Sequence, residues 1–125
     1  MIIGTGIDIV EIERFRKVLE RLKDRFILRV FTFGEQTFCL RHRDPAPHFA
    51  ARFAAKEALF KALGTGWAKG VTWLDAEVQR ERQDAPVMML HGEARRLSDG
   101  MGVQRVHLSL SHSDRWAVAT VILEG

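Results

Sequence analysis

Three polar residues stand where a fold alone has little use for them: Asp8, Glu57 and Lys61. Asp8 follows Gly4 and Gly6 at alternate positions, so in an extended strand the three share a face that the two glycines leave bare of side chains beside the carboxylate. A phosphate or a hydrated ion could approach the carboxylate closely across such a face. A helix cap or a strand edge is the plainer use of the same aspartate. Phe53, Glu57 and Lys61 recur every four residues and so stack along one side of a helix. Ala50 and Ala54 flank them, a shallow floor on which a diphosphate could rest. The plainer use there is a surface Glu and Lys pair, worth about 0.3–0.5 kcal/mol. Cys39 is the one cysteine, so neither an internal disulfide nor a multi-thiolate centre can form, and any metal is expected on oxygen ligands, as a hard cation is.

A frame of alternating and helical patterns must position these groups. Ile3, Thr5, Ile7 and Ile9 alternate with Gly4, Gly6 and Asp8, which predicts a strand over Ile2 to Val10. Phe15, Val18, Leu19 and Leu22 then predict a helix from Glu11 to about Asp24, with Arg14, Lys17, Arg21 and Arg25 along its polar flank. A second helix is expected from about Gly34 to Leu40, followed by a loop over 41–47 whose two prolines forbid regular pairing. The most regular helix spans His48 to Leu63, rich in alanine and stopped by Gly64. Thr72 to Gln79 and Pro86 to Leu90 read as strands, and Gly92 to Gly100 as a short helix. Val106 to Ser111 and Trp116 to Leu123 read as strands joined through His112 to Arg115. The mixture predicts one α+β domain over residues 1–125, undivided by repeats or low-complexity blocks.

The opening apolar run reaches Asp8, Glu11 and Glu13 at once, so neither a signal peptide nor a membrane span is expected, and a cytoplasmic protein is the default. A formal net charge of +3 favours anionic partners without choosing among nucleic acid, a phosphorylated cofactor and an acidic protein.

Four segments stand in one recognisable order and spacing: Gly6-Ile7-Asp8-Ile9-Val10-Glu11, Arg52-Phe53-Ala54-Ala55-Lys56-Glu57-Ala58 continuing through Lys61, Gly64-Thr65-Gly66, and Ser109-Leu110-Ser111-His112. Through them the chain resembles the holo-acyl-carrier-protein synthases, the short single-domain members of the phosphopantetheinyl transferase superfamily, from Ile3 to Glu124. The resemblance implies an antiparallel sheet packed against a long central helix, and a homotrimer with active sites between subunits. It implies transfer of the 4′-phosphopantetheine group of coenzyme A to a serine hydroxyl of an apo acyl carrier protein, leaving adenosine 3′,5′-bisphosphate.

By the same resemblance Asp8 and Glu57 are the ligands of Mg2+, and Lys61 is the partner of the transferred phosphate. Magnesium suits such a set because it prefers oxygen, keeps several waters, and is commonly held by one or two carboxylates plus substrate phosphates. The serine proton has two candidate acceptors, a metal-polarised water and a carboxylate such as Glu57. Arg52, Phe53, Gly64, Thr65, Gly66, Pro86 and His112 are expected at coenzyme A, with the Arg41 to Arg43 loop. Arg14, Lys17, Arg21 and Arg25 are expected to meet the acidic carrier protein, with Phe26 as an apolar anchor.

Two places depart from the family pattern. Asp84-Ala85-Pro86 stands where relatives usually carry glycine, a basic residue and proline, which leaves the adenine-side contacts open; Trp67 stands where relatives more often carry a smaller aliphatic residue, so by the resemblance a different pocket wall is expected. The rival reading is a small basic nucleic-acid-binding domain, which the size, charge and element order permit. No run of strand aromatics, zinc spacing or basic tail supports it, and Asp8 and Glu57 would repel a phosphate backbone in the absence of metal. A catalytically silent carrier-protein binder is the third reading, and predicts docking without transfer.

Overall fold

The computed structural model describes residues 1–65, 70–80 and 85–125. The elements run β1 (Ile2–Glu11), α1 (Ile12–Val30), α2 (Phe33–Leu40), α3 (Ala46–Leu63), a single 3-10 turn (Trp73–Asp75), β2 (Ala76–Gln79), β3 (Val87–Leu90), α4 (Gly92–Gly100), β4 (Arg105–His112) and β5 (Trp116–Glu124). β1, β5 and β4 form a three-stranded antiparallel sheet in that order, and β2 pairs with β3 in a separate two-stranded ribbon. Alternation along β5 buries Ala117, Ala119, Val121 and Leu123 on one face. Against that face lies α3, whose Ala54, Ala58, Leu59 and Ala62 join Val121, Leu123 and the ribbon's Val78, Met88 and Leu90 in one core. A second core, of Ile12, Phe15, Val30, Phe31 and Phe49, fills the space beneath α1 and α2. This is the expected α+β arrangement, with an antiparallel sheet on a long central helix.

The glycines of β1 have a different use from the one the sequence suggests. A Cβ at Gly4 would stand 2.3 Å from the Ala62 carbonyl oxygen, and one at Gly6 would stand 1.9 Å from that of Ala58. They admit the backbone of α3, not a ligand. Ala50 and Ala54 are likewise fully buried, so they form the packing face of the helix and no floor beneath a cleft. Small residues on both elements thus bring strand and helix close enough for Asp8 to meet the side chains of the next helical flank. We expect Gly6→Ala to cost roughly 1–3 kcal/mol through overpacking, read as a lower midpoint in urea denaturation.

Boundaries differ where local chemistry or tertiary packing intervenes. α1 runs past Asp24 to Val30, with a break at Lys23, whose φ of 51° and ψ of −138° are non-helical. The break turns the chain back on the core, where Phe26 packs on Phe15, Phe31 and Phe53 at centroid distances of 5.7, 6.3 and 6.2 Å. Leu22, just before the break, is exposed. α3 begins at Ala46, with Pro47 in its first turn, where a missing N–H costs nothing. Asp75 accepts hydrogen bonds from the backbone N–H and the hydroxyl of Thr72, both at 3.2 Å, and so winds the stretch expected to open a strand into a 3-10 turn. Gly64 caps α3 in the left-handed conformation at φ 73°, as expected. No helix among the described residues is long and apolar enough to cross a membrane.

Behind α3, a fully buried ion pair joins three elements. Lys56 Nζ lies 2.8 Å from Glu35 Oε1 and donates to the carbonyl oxygens of Trp73, at 3.1 Å, and Ala76. Glu35 accepts in turn from the backbone N–H of Thr32 at 2.9 Å and of Val78 at 2.8 Å. Sequence reasoning missed this pair. The Thr32-x-x-Glu35 spacing of a capping box, which α2 forms, was the available signal for its acidic member.

Candidate active site

Asp8 sits on the α3-facing side of β1, in line with Gly4 and Gly6. Phe53, Glu57 and Lys61 project from α3 toward the same place, and with Asp8 they line a cleft of about 770 Å³. Lys61 Nζ donates to Asp8 Oδ1 and to the Ile7 carbonyl oxygen, each at 2.9 Å. Glu57 is half-buried. Its burial, and secondarily the Asp8 carboxylate, raise its pKa above the usual carboxylate value, with Lys61 opposing. The far wall of the cleft is apolar, made by Phe15, Val18, Phe26 and Trp116.

Two carboxylates that feel each other's charge in a partly dry cleft, beside one ammonium, favour a further cation. The donor set is all oxygen. Cys39 is buried with its thiol pKa pushed up to about 12, chiefly by burial, so it is unfit as a thiolate ligand. Among the described residues no group of three or more His, Cys, Asp or Glu could hold a metal by itself. A cation on Asp8 and Glu57 would therefore complete its shell from water and phosphate, which is the habit of Mg2+. The residues fit the ion.

Arg52 faces another way. It is 3% exposed, its guanidinium stacks 3.9 Å from the Phe38 ring centroid, and its Nε has no hydrogen-bond partner among the described residues. Arg41 lies over the same ring at 5.9 Å, and the two arginines line a groove of about 330 Å³ with Gln79 and Arg80. Pro86 stands one residue before Val87, which pairs with Gln79 of this groove. Arg52 and Arg41 are thus set apart from the acidic cleft in this chain. Gly64 and the buried Thr65 cap α3 beyond Lys61. Gly66, Trp67 and Asp84 lie outside the described residues.

Arg14, Lys17 and Arg21 are exposed on the first segment of α1, and Arg14 reaches the cleft. Arg25 is exposed beyond the break at Lys23, so helical spacing does not carry the basic stripe through to it. Phe26 forms part of the cleft wall. Phe38 and Trp116 were not anticipated. Trp116 could be placed beside the cleft only from the strand register that pairs it with Glu11.

His112, at the end of β4, meets the edge of the His48 ring at 5.3 Å, and His48 stacks on His42 at 3.5 Å between centroids. Burial first, then His42, His112 and Arg52, push the His48 pKa down to about 4, with Asp44 opposing. The unfolded chain, titrating near 6.5, takes up that proton first as pH falls. Stability is therefore full above about pH 6.5 and declines toward pH 4. Since the ring is part-exposed and screened, we expect a loss of about 1–2 kcal/mol across that window. Denaturation of wild type and His48→Leu between pH 7 and 4.5 checks it, the variant having the flatter profile.

With this geometry in place, comparison with known proteins gives one answer. The family model of the 4′-phosphopantetheinyl transferase superfamily matches residues 4–121. The chain belongs to that superfamily. Within it the similarity is to the holo-[acyl-carrier-protein] synthases. The one from Koribacter versatilis is 51% identical over 124 residues, covering 99% of each chain. The crystal structure of the Neisseria meningitidis holo-[acyl-carrier-protein] synthase superposes with a TM-score of 0.90 at 30% identity, over all of both chains. That of the Bacillus anthracis synthase, in complex with CoA (3′,5′-ADP), gives 0.80 at 40% identity, covering 99% of this chain and 97% of the other. No comparison supports the nucleic-acid reading.

Proposed function

We propose that this protein transfers the 4′-phosphopantetheine group of coenzyme A to a serine of apo acyl carrier protein, in a Mg2+-dependent reaction. The observation that carries the reading is the convergence of Asp8, Glu57 and Lys61 in one cleft. The serine oxygen forms a bond to the pantetheine-side phosphorus, the bond from that phosphorus to the bridging oxygen breaks, and adenosine 3′,5′-bisphosphate leaves. Such transfers depend on positioning and charge neutralisation. Asp8 and Glu57 would hold the cation, which when bound neutralises diphosphate charge and acidifies coordinated water. Lys61 adds an ammonium against the transferred phosphate. Glu57 is one candidate acceptor for the serine proton, and a coordinated water is the other.

We assign the nucleotide half of coenzyme A to the Arg52 and Arg41 groove, with Pro86 and His112 as further contacts, and its diphosphate to the cleft end of α3, with Phe53, Gly64 and Thr65. Because that groove and the acidic cleft are separate in one chain, we propose that one protomer completes the site of the next in a homotrimer. The sheet face turned away from α3 supports this, since Ile7 and Ile9 are both 60% exposed there. We place the enzyme in the cytoplasm, supplying holo carrier protein for fatty acid biosynthesis.

Incubation with coenzyme A, Mg2+ and apo carrier protein tests the reading. The carrier should gain one phosphopantetheine mass as adenosine 3′,5′-bisphosphate appears, and chelation should stop both. Docking without a mass gain would mean a silent binder. The basic stripe should serve the carrier alone: Lys17→Glu with Arg21→Glu should weaken carrier binding about tenfold or more, and more so at low salt, with coenzyme A affinity unchanged. Calorimetry with each ligand separately shows the division.

A further inference from the structure

The proposed site holds a cation before any metal arrives, and that cation is Lys61. Its ammonium donates to Asp8 Oδ1 and to the Ile7 carbonyl oxygen, which uses two of its three N–H groups. The Asp8 side chain is only 18% exposed, so the ammonium is its immediate counter-ion and water does little of that work. Lys61, by contrast, is 53% exposed on a flexible four-carbon stem and is free to swing. A divalent ion on Asp8 would stand next to this ammonium, and the two would repel. Only the Lys61 end of the pair is substantially exposed, so water can take up the ammonium as it leaves and the exchange needs no repacking.

Resting on the metal reading above, we infer that Lys61 and the divalent cation compete for Asp8, so that the arrival of the metal releases Lys61 toward the diphosphate of coenzyme A. The order of events follows from charge. Metal on Asp8 leaves the ammonium without its anion, and the incoming phosphate supplies a new one. Lys61 thereby couples metal occupancy to coenzyme A binding, and also keeps Asp8 compensated when no metal is present.

Binding of Mn2+ alone, without coenzyme A, separates this from a role confined to phosphate contact. Free Mn2+ is read by electron paramagnetic resonance for the wild type and for Lys61→Met, Lys61→Arg and Asp8→Asn, each checked for folding by circular dichroism. Loss of the competitor should tighten Mn2+ binding about tenfold in Lys61→Met, while Lys61→Arg stays close to wild type. Asp8→Asn should abolish binding. If Lys61→Met binds Mn2+ no more tightly than wild type while Asp8→Asn still loses it, the competition is overturned and the metal site stands. Binding indifferent to Asp8 overturns the metal reading together with this inference.

Discussion

Asp8→Asn and Glu57→Gln will each leave a folded protein whose transfer rate at saturating coenzyme A and carrier falls by roughly 10²–10³. Both changes keep shape and remove charge from an oxygen proposed to hold Mg2+. Neither residue belongs to the buried cores, so circular dichroism and denaturation midpoints should change little. The two variants should differ in kind. Asp8→Asn also removes the negative charge that faces Lys61 at 2.9 Å, whereas Glu57→Gln removes a candidate proton acceptor. A higher Mg2+ requirement is expected for both, and near-normal rates in either at ordinary Mg2+ would contradict the assignment.

Lys56→Met will cost about 3–5 kcal/mol of stability, because it strands the Glu35 carboxylate in a place without water. Both side chains are wholly buried, and the ammonium also satisfies the carbonyl oxygens of Trp73 and Ala76. Set against the 5–15 kcal/mol typical of a domain, that is a large share. Adding Glu35→Gln should recover part of the loss, since the amide removes the stranded charge while its oxygen can still accept from Val78 N–H. Chemical denaturation of the two single variants and the double variant closes the cycle. A double variant as unstable as the sum of the singles would mean that the pair does not act as a unit.

The flank of α3 that lines the cleft was legible because helical periodicity needs no partner: residues 53, 57 and 61 share a side of α3 whatever lies opposite. The same arithmetic, followed further, places Arg52 on another side. The Gly64 cap and the hairpin between β4 and β5 were legible for local reasons too, since each depends on turn chemistry or alternation alone. The glycines of β1 were not. Bare backbone suits a ligand and a helix equally, and only the Ala58 and Ala62 carbonyl oxygens, distant in sequence, decide between them. The alanines of α3 share that ambiguity from the other side. Phe26, Ile27, Val30 and Phe31 carried a readable apolar rhythm past Asp24, but a lysine at positive φ leaves no signature of the break before them. Lys56 looks solvent-bound in sequence because lysine usually is, and tertiary packing overrode that habit.

Two carboxylates on different elements, Asp8 of β1 and Glu57 of α3, are proposed to grip one ion. Crystals grown with Mn2+ and coenzyme A, measured at the manganese absorption edge, test this most directly. One anomalous peak should fall roughly 2.1 Å from a carboxylate oxygen of Asp8 and of Glu57, against the diphosphate. Ordered coenzyme A with the peak elsewhere, or with none, would contradict it.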